Sequence, residues 1–217
     1  TEAARGLDEV AAADLAGAGR PGRRDLAALG ELSAGRRRNL LRHACREAGL
    51  PALPARALAA IENELLPARP DAMPCVRWPG AEARRHREQL YLLRTLATPP
   101  APPAGRLTGQ QPLDLGDGSR LQLEASVDGG IAAGTVARGL AVRYRKGGEK
   151  LRPSGRDGTH PLKKLLQERG VVPWMRDRLP LLYADDELVA VAHLWVAQEH
   201  YARDGVAVRW EGRPALF

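Results

Sequence analysis

The sequence predicts an α+β fold in two small domains: a helical domain with a short β-meander, then a small α/β domain with a mostly antiparallel sheet and a packed helix. Three observations predict it. Apolar residues recur at three- and four-residue spacing through residues 33–66, strand-length runs broken by Pro and Gly follow residue 70, and a proline-rich run at 98–105 divides the chain. The chain has 217 residues and is 44% hydrophobic, but it has one Phe, four Tyr and four Trp, so its cores must be aliphatic.

Residues 1–24 are rich in Ala, Gly and Arg, with one weak helical stretch at 7–15, and read as a linker or tail. Residues 25–97 form the first domain. There Ser33 is placed to cap a helix whose apolar positions are Leu40, Leu41, Ala44, Cys45 and Ala48, ended by Gly49 and Pro51. Pro54 opens a second helix with Leu58, Ile61 and Leu65 on one stripe, and the two are expected to pair as a hairpin. PCVRW, a Pro79-Gly80 turn, EARRHR and QLYLL then read as strands of a meander, although 82–96 also suits one basic helix.

The run TPPAPPAG at 98–105 excludes a helix and favours an extended spacer. In the second domain, 106–217, LDLGDGSRLQLEA reads as two strands turned at Gly116 to Gly118, and LAVRYR as another. HPLKKLLQERG reads as a helix with Pro161 in its first turn, Leu162, Leu165 and Leu166 facing inward, and Gly170 at its end. LPLLY and LVAVAHLWV, joined at Asp185-Asp186, read as the last strands.

Charge is unevenly placed. The formal net charge is +7, yet the window 138–178 holds 12 basic against 4 acidic residues, a local +8 that leaves −1 for the rest. All four lysines, Lys146, Lys150, Lys163 and Lys164, lie in that window. With them stand Arg143, Arg145, Arg152, Arg156, Arg176 and Arg178, around a glycine-rich loop at 146–158. Such a surface suits a polyanion, whose successive phosphates flexible basic backbone can follow. A weaker second patch is Arg36, Arg37, Arg38 and Arg42 on the first helix, of which 38 and 42 share a face, with Arg84, Arg85 and Arg87 on the meander. Two basic sites joined by a stiff spacer suit a long folded RNA, read by shape and phosphate contacts. Trp174, after Pro173 and beside Met175, is expected to pack and not to stack on a base.

Catalytic and metal chemistry find little support. His43, His86, His160, His193 and His200 show no i,i+4 pairing and no evident carboxylate orienter, and His193 reads as a structural residue in an apolar strand. Cys45 and Cys75 have no zinc-site spacing and are expected to be reduced thiols, Cys45 in the core. The 146–158 loop lacks the GxxxxGK[ST] order of a phosphate-binding loop. No apolar run reaches the ~18 residues of a membrane span, which leads to the expectation of a cytoplasmic protein without membrane contact. Thr1 stands where a start Met would, so the chain is expected to be part of something longer.

The run at 155–196, GRDGTHPLKKLLQERGVVPWMRDRLPLLYADDELVAVAHLWV, strongly resembles the C-terminal domain of bacterial tRNA(Ile)-lysidine synthetases. LSAGRRRNLLRHACREAGLP, DAMPCVRWPG and RRHREQLYL resemble the family's middle domain, so the likeness covers most of 25–197. Val172 stands where the family commonly has Pro. The resemblance implies an enzyme that uses ATP, with Mg2+, to attach lysine to the first anticodon cytidine of a minor isoleucine tRNA. It also implies that ATP and lysine bind an N-terminal domain with an SGGxDS-like loop. No such loop occurs in this sequence, so no catalytic residue and no cofactor is carried over to it. What carries over is tRNA(Ile) recognition, with the middle domain on the tRNA body and the C-terminal domain on the acceptor stem. A homodimer stays open. The alternatives are a stand-alone RNA-binding protein and a basic protein-interaction module.

Overall fold

The structure, a computed structural model, describes residues 10, 11, 13, 14, 17–20, 22–69, 72–96, 98, 101–109, 111–213, 216 and 217. Most of the weak helical stretch at 7–15, and Pro99 and Pro100 of the proline-rich run, lie outside them. The chain forms two compact units, Thr1–Leu96 and Ala97–Phe217, and the architecture is α+β with antiparallel sheets.

In the first unit, α1 (Leu26–Gly30), α2 (Ala34–Glu47) and α3 (Ala55–Ala60) precede a meander of β3 (Cys75–Trp78), β4 (Ala81–His86) and β5 (Gln89–Arg94). The strand reading of 82–96 therefore holds over the helical one. Alternation explains it: Ala81, Ala83, Leu90 and Leu92 point into one core, which a helix through the same residues would scatter around its circumference. Leu40, Leu41, Ala44 and Cys45 of α2 and Leu58, Ile61 and Leu65 fill that core from the helical side.

Gly49, at φ 62, closes α2 with the Leu50 amide donating to the Cys45 carbonyl at 2.9 Å, the glycine-dependent helix stop that the sequence indicates. Ser33 occupies the cap position but its side chain makes no capping bond, whereas Asp25 caps α1 through the amides of Ala27 and Ala28. From Ile61 to Leu65 the second helix widens into a π turn, with the Leu66 amide reaching the Ile61 carbonyl.

The segment read as a linker contributes to the fold. β1 (Gly19–Arg20) and β2 (Arg23–Asp25) extend the sheet to the order β1-β2-β5-β4-β3. Three or fewer residues per strand carry no readable period, so only pairing with β5 defines them.

The second unit holds two five-stranded antiparallel sheets and a two-stranded ribbon. Its strands are β6 (Arg106–Leu107), β7 (Leu113–Asp114), β8 (Arg120–Ser126), β9 (Gly130–Ile131), β10 (Leu140–Arg143), β11 (Lys150–Leu151), β12 (His160–Pro161), β13 (Leu181–Ala184), β14 (Glu187–Val191), β15 (Trp195–Val196), β16 (Tyr201–Ala202) and β17 (Gly205–Glu211). α4 (Ala133–Ala137), α5 (Leu162–Glu168) and α6 (Pro173–Arg176) lie between them. One sheet runs β15-β14-β13-β10-β6 and the other β16-β9-β17-β8-β7.

Three readings change here. β17 forms the longest pairing of the unit, seven register pairs with β8, and turns Val208 and Trp210 inward, a strand beyond those the sequence indicates. Pro161 caps α5 from outside its first turn. His193 lies in the turn between β14 and β15, exposed, beside Ala192 at φ 43. Gly130 is required where β9 meets β17, because a Cβ there would stand 2.5 Å from the Val206 carbonyl carbon.

Candidate nucleic-acid interface

The β11–β12 ribbon and α5 gather the lysines. Leu151 is buried while Lys150 points out, and the same alternation on the helix buries Leu162, Leu165 and Leu166 and leaves Lys163 and Lys164 exposed. Lys150 pairs across the ribbon with Pro161, and the Leu162 amide donates to the Glu149 carbonyl at 2.8 Å, so the loop and the helix start meet. The apolar residues thus dictate where the charges point. Lys146, Lys150, Arg152 and Lys163 are exposed and make no side-chain hydrogen bond or ion pair among the described residues. Lys164 is 3.9 Å from Glu168, and Arg156 donates to Glu168 at 2.7 Å; that hydrogen bond, with nearby positive charge, holds the Glu168 carboxyl below its ordinary range.

The glycine-rich loop is not a phosphate cradle. Its Lys146 and Gly147 amides already donate to the Glu149 carboxylate, at 2.6 and 2.9 Å, so an internal anion fills the concavity those amides make. Gly147, Gly148, Gly155 and Gly158 all take positive φ and supply its turns.

Apart from the exposed Arg169, the remaining arginines of the window are occupied by the fold. Arg143 donates to the Asp185 carbonyl at 2.9 Å and the Asp186 carboxylate at 3.0 Å, and lies over the Tyr183 ring. Arg138 pairs with Asp185 and lowers its pKa. Arg145 reaches Asp177 at 3.0 Å, Arg176 donates to the Val171 carbonyl at 2.9 Å, and Arg178 is buried.

In the first unit, Arg36 pairs with Asp14, Arg38 donates to Glu62 at 2.7 Å, and Arg37 donates to the Leu32 carbonyl at 3.2 Å. Arg42 is exposed without a partner among the described residues. Arg84 bonds the buried Glu82 carboxylate at 2.8 Å. Arg85 is itself buried, donating to the Leu66 carbonyl at 2.5 Å, so its guanidinium is out of reach of a surface ligand. Arg87 is exposed in the turn between β4 and β5.

One histidine does have a carboxylate. His200 Nδ1 is 3.3 Å from the Thr135 hydroxyl and its Nε2 is 3.5 Å from Glu187. Residues 65 positions apart come together there, so spacing could not reveal it. Thr135 is buried, and its hydroxyl ties α4 to the segment before β16. Cys45 is buried, and desolvation pushes its thiol up to about 11, which keeps it protonated and unreactive at neutral pH. Among the described residues no His, Cys, Asp and Glu cluster suits a metal ion, and no helix is long and apolar enough to cross a membrane.

Residues 25–91 match the TilS substrate binding domain, and residues 140–210 match the TilS substrate C-terminal domain. The chain is 44% identical over 175 residues to a tRNA(Ile)-lysidine synthase of Xylella fastidiosa strain Temecula1, covering 80% of this chain and 39% of that protein. It is 35% identical to the tRNA(Ile)-lysidine synthase of Methylococcus capsulatus, over 96% of this chain and 49% of that one. It thus spans between two fifths and one half of these relatives. The crystal structure of a TilS C-terminal domain aligns with 48% of this chain and 92% of its own, at a TM-score of 0.40 and 21% identity.

Proposed function

The chain belongs to the tRNA(Ile)-lysidine synthase family through its TilS substrate binding and C-terminal domains, and from that premise we propose that it is the tRNA-recognition portion of such an enzyme. The observation that carries the reading is the presence of both substrate domains in order on one chain. In the whole cytoplasmic enzyme, ATP with Mg2+ drives attachment of lysine to the wobble cytidine of the minor isoleucine tRNA. The glycine-rich loop does not fit the phosphates of ATP, because its Lys146 and Gly147 amides are taken by Glu149. Its part is to bind and position the RNA.

Lys146, Lys150, Arg152 and Lys163 support that part, with Lys164 and Arg156 at their margin. Unneutralised cations cost little while hydrated and release counterions when they meet phosphates. The C-terminal unit then takes the acceptor stem and the first unit the tRNA body. Binding of a minor isoleucine tRNA transcript, measured against salt, tests the reading. Steeply salt-dependent binding is expected; a slope near zero would transfer the basic face to a protein partner instead.

A further inference from the structure

Strand register lines up a second cationic site on the sheet of the first unit. Arg84, Tyr91 and Arg23 are direct cross-strand partners on β4, β5 and β2, and Arg23 in turn faces Arg20 on β1. They lie on the face opposite Ala83, Leu90 and Leu92, which enter the core. The Arg23 guanidinium carbon is 5.6 Å from the centre of the Tyr91 ring. Arg87 stands in the turn that joins β4 to β5, next to the His86–Gln89 pair whose Gln89 side chain holds Arg23.

The carboxylates near Arg20, Arg23 and Arg87 are committed to other groups. Asp25 caps α1 and accepts from the Gln89 side-chain amide at 3.0 Å, while Gln89 gives its oxygen to Arg23 at 3.1 Å. Glu82 serves Arg77 and Arg84, and Glu88 lies 3.9 Å from Arg85. Arg20 and Arg87 are exposed, and their side chains make no hydrogen bond or ion pair among the described residues. Like charges directly opposite on neighbouring strands, as at Arg20 and Arg23, repel.

Backbone geometry adds an independent observation. Arg87 has φ 54 in a two-residue hairpin turn, a position that glycine or asparagine occupies without strain. An arginine there carries backbone strain whatever its side chain does, and such strained positions cluster at functional sites.

We propose that Arg20, Arg23 and Arg87 form an anion site on the side of the first unit's sheet opposite the Ala83–Leu90–Leu92 core, and that it takes backbone phosphates of the RNA substrate. The inference rests on the RNA-binding reading and gives that reading a second, specific surface. Of these residues only Arg87 stands out in the sequence, as one of a basic run.

The test titrates a labelled transcript of the minor isoleucine tRNA with the full chain at several salt concentrations. Replacing Arg20, Arg23 and Arg87 together by Gln should weaken binding tenfold or more near about 0.15 M salt and flatten the salt slope by about one to three units. Arg87→Gly separates binding from folding. It should raise the melting temperature while lowering tRNA affinity several-fold, whereas an arginine that served only the fold would move both together. If the triple variant binds as the parent does while Lys150, Arg152, Lys163 and Lys164→Ala still weakens binding, this inference is overturned and the RNA reading stands. If both sets bind as the parent does, both fall.

Discussion

The Glu149 carboxylate caps the Gly147 backbone amide, with oxygens at 2.9 and 3.1 Å, and so places a fixed negative charge inside the most basic loop of the chain. The same carboxylate accepts from the Lys146 amide at 2.6 Å and lies 3.7 Å from Arg145. It orders the loop by satisfying donors that would otherwise need water.

Glu149→Ala removes those acceptors and should destabilise the second unit by about 1.5–3 kcal/mol in denaturant unfolding, the range for hydrogen bonds to a charged acceptor. Amides of Lys146 and Gly147 should exchange with solvent faster. Unchanged stability and exchange would show that the loop is held by its glycine turns alone.

Substituting Lys150, Arg152, Lys163 and Lys164 together by Ala should lower tRNA affinity and reduce the salt slope by about three to four units, at roughly 0.9 per phosphate contact. All four are exposed, so the folding free energy should move by no more than about 0.5 kcal/mol per site. An intact fold with an unchanged slope would place the RNA elsewhere.

Arg85→Ala should act oppositely. The side chain is buried and its guanidinium satisfies the Leu66 carbonyl, so truncation should cost about 2–4 kcal/mol by thermal or denaturant melting. The salt slope of tRNA binding should hold in whatever fraction stays folded. A flattened slope would mean that this arginine reaches the ligand.

His193 titrates below its ordinary value of 6.5, chiefly through desolvation and then through the charges of Arg213 and Arg169. A base with a depressed folded pKa is neutral in the native state while the unfolded chain already binds the proton. Its contribution is therefore present above about pH 6.5 and is lost as pH falls through the lower folded value. The residue keeps part of its surface in water, so the effect is small. His193→Gln should flatten this part of the acid limb of the stability curve, and an NMR titration of His193 at or above 6.5 would contradict the assignment.

Periodicity determined α5, whose Leu162–Leu165–Leu166 stripe is written in nearby residues, and indicated the meander, though only the β4–β5 pairing decided it against a helix over 82–96. It did not reach β1 and β2, which are too short for a period, or the His200–Thr135 contact. Charge counting located the window 138–178 but treated its arginines alike.

The sequence by itself determined the α+β class, the aliphatic cores, the family and the stretch of chain where positive charge accumulates. Only the tertiary structure decided which cations remain available to a ligand. A guanidinium and a carboxylate far apart in sequence neutralise each other once the chain brings them within about 3 Å, as Arg143 and Asp186 do at 3.0 Å, and Lys163 escapes because its neighbours Leu162 and Leu165 turn it to solvent.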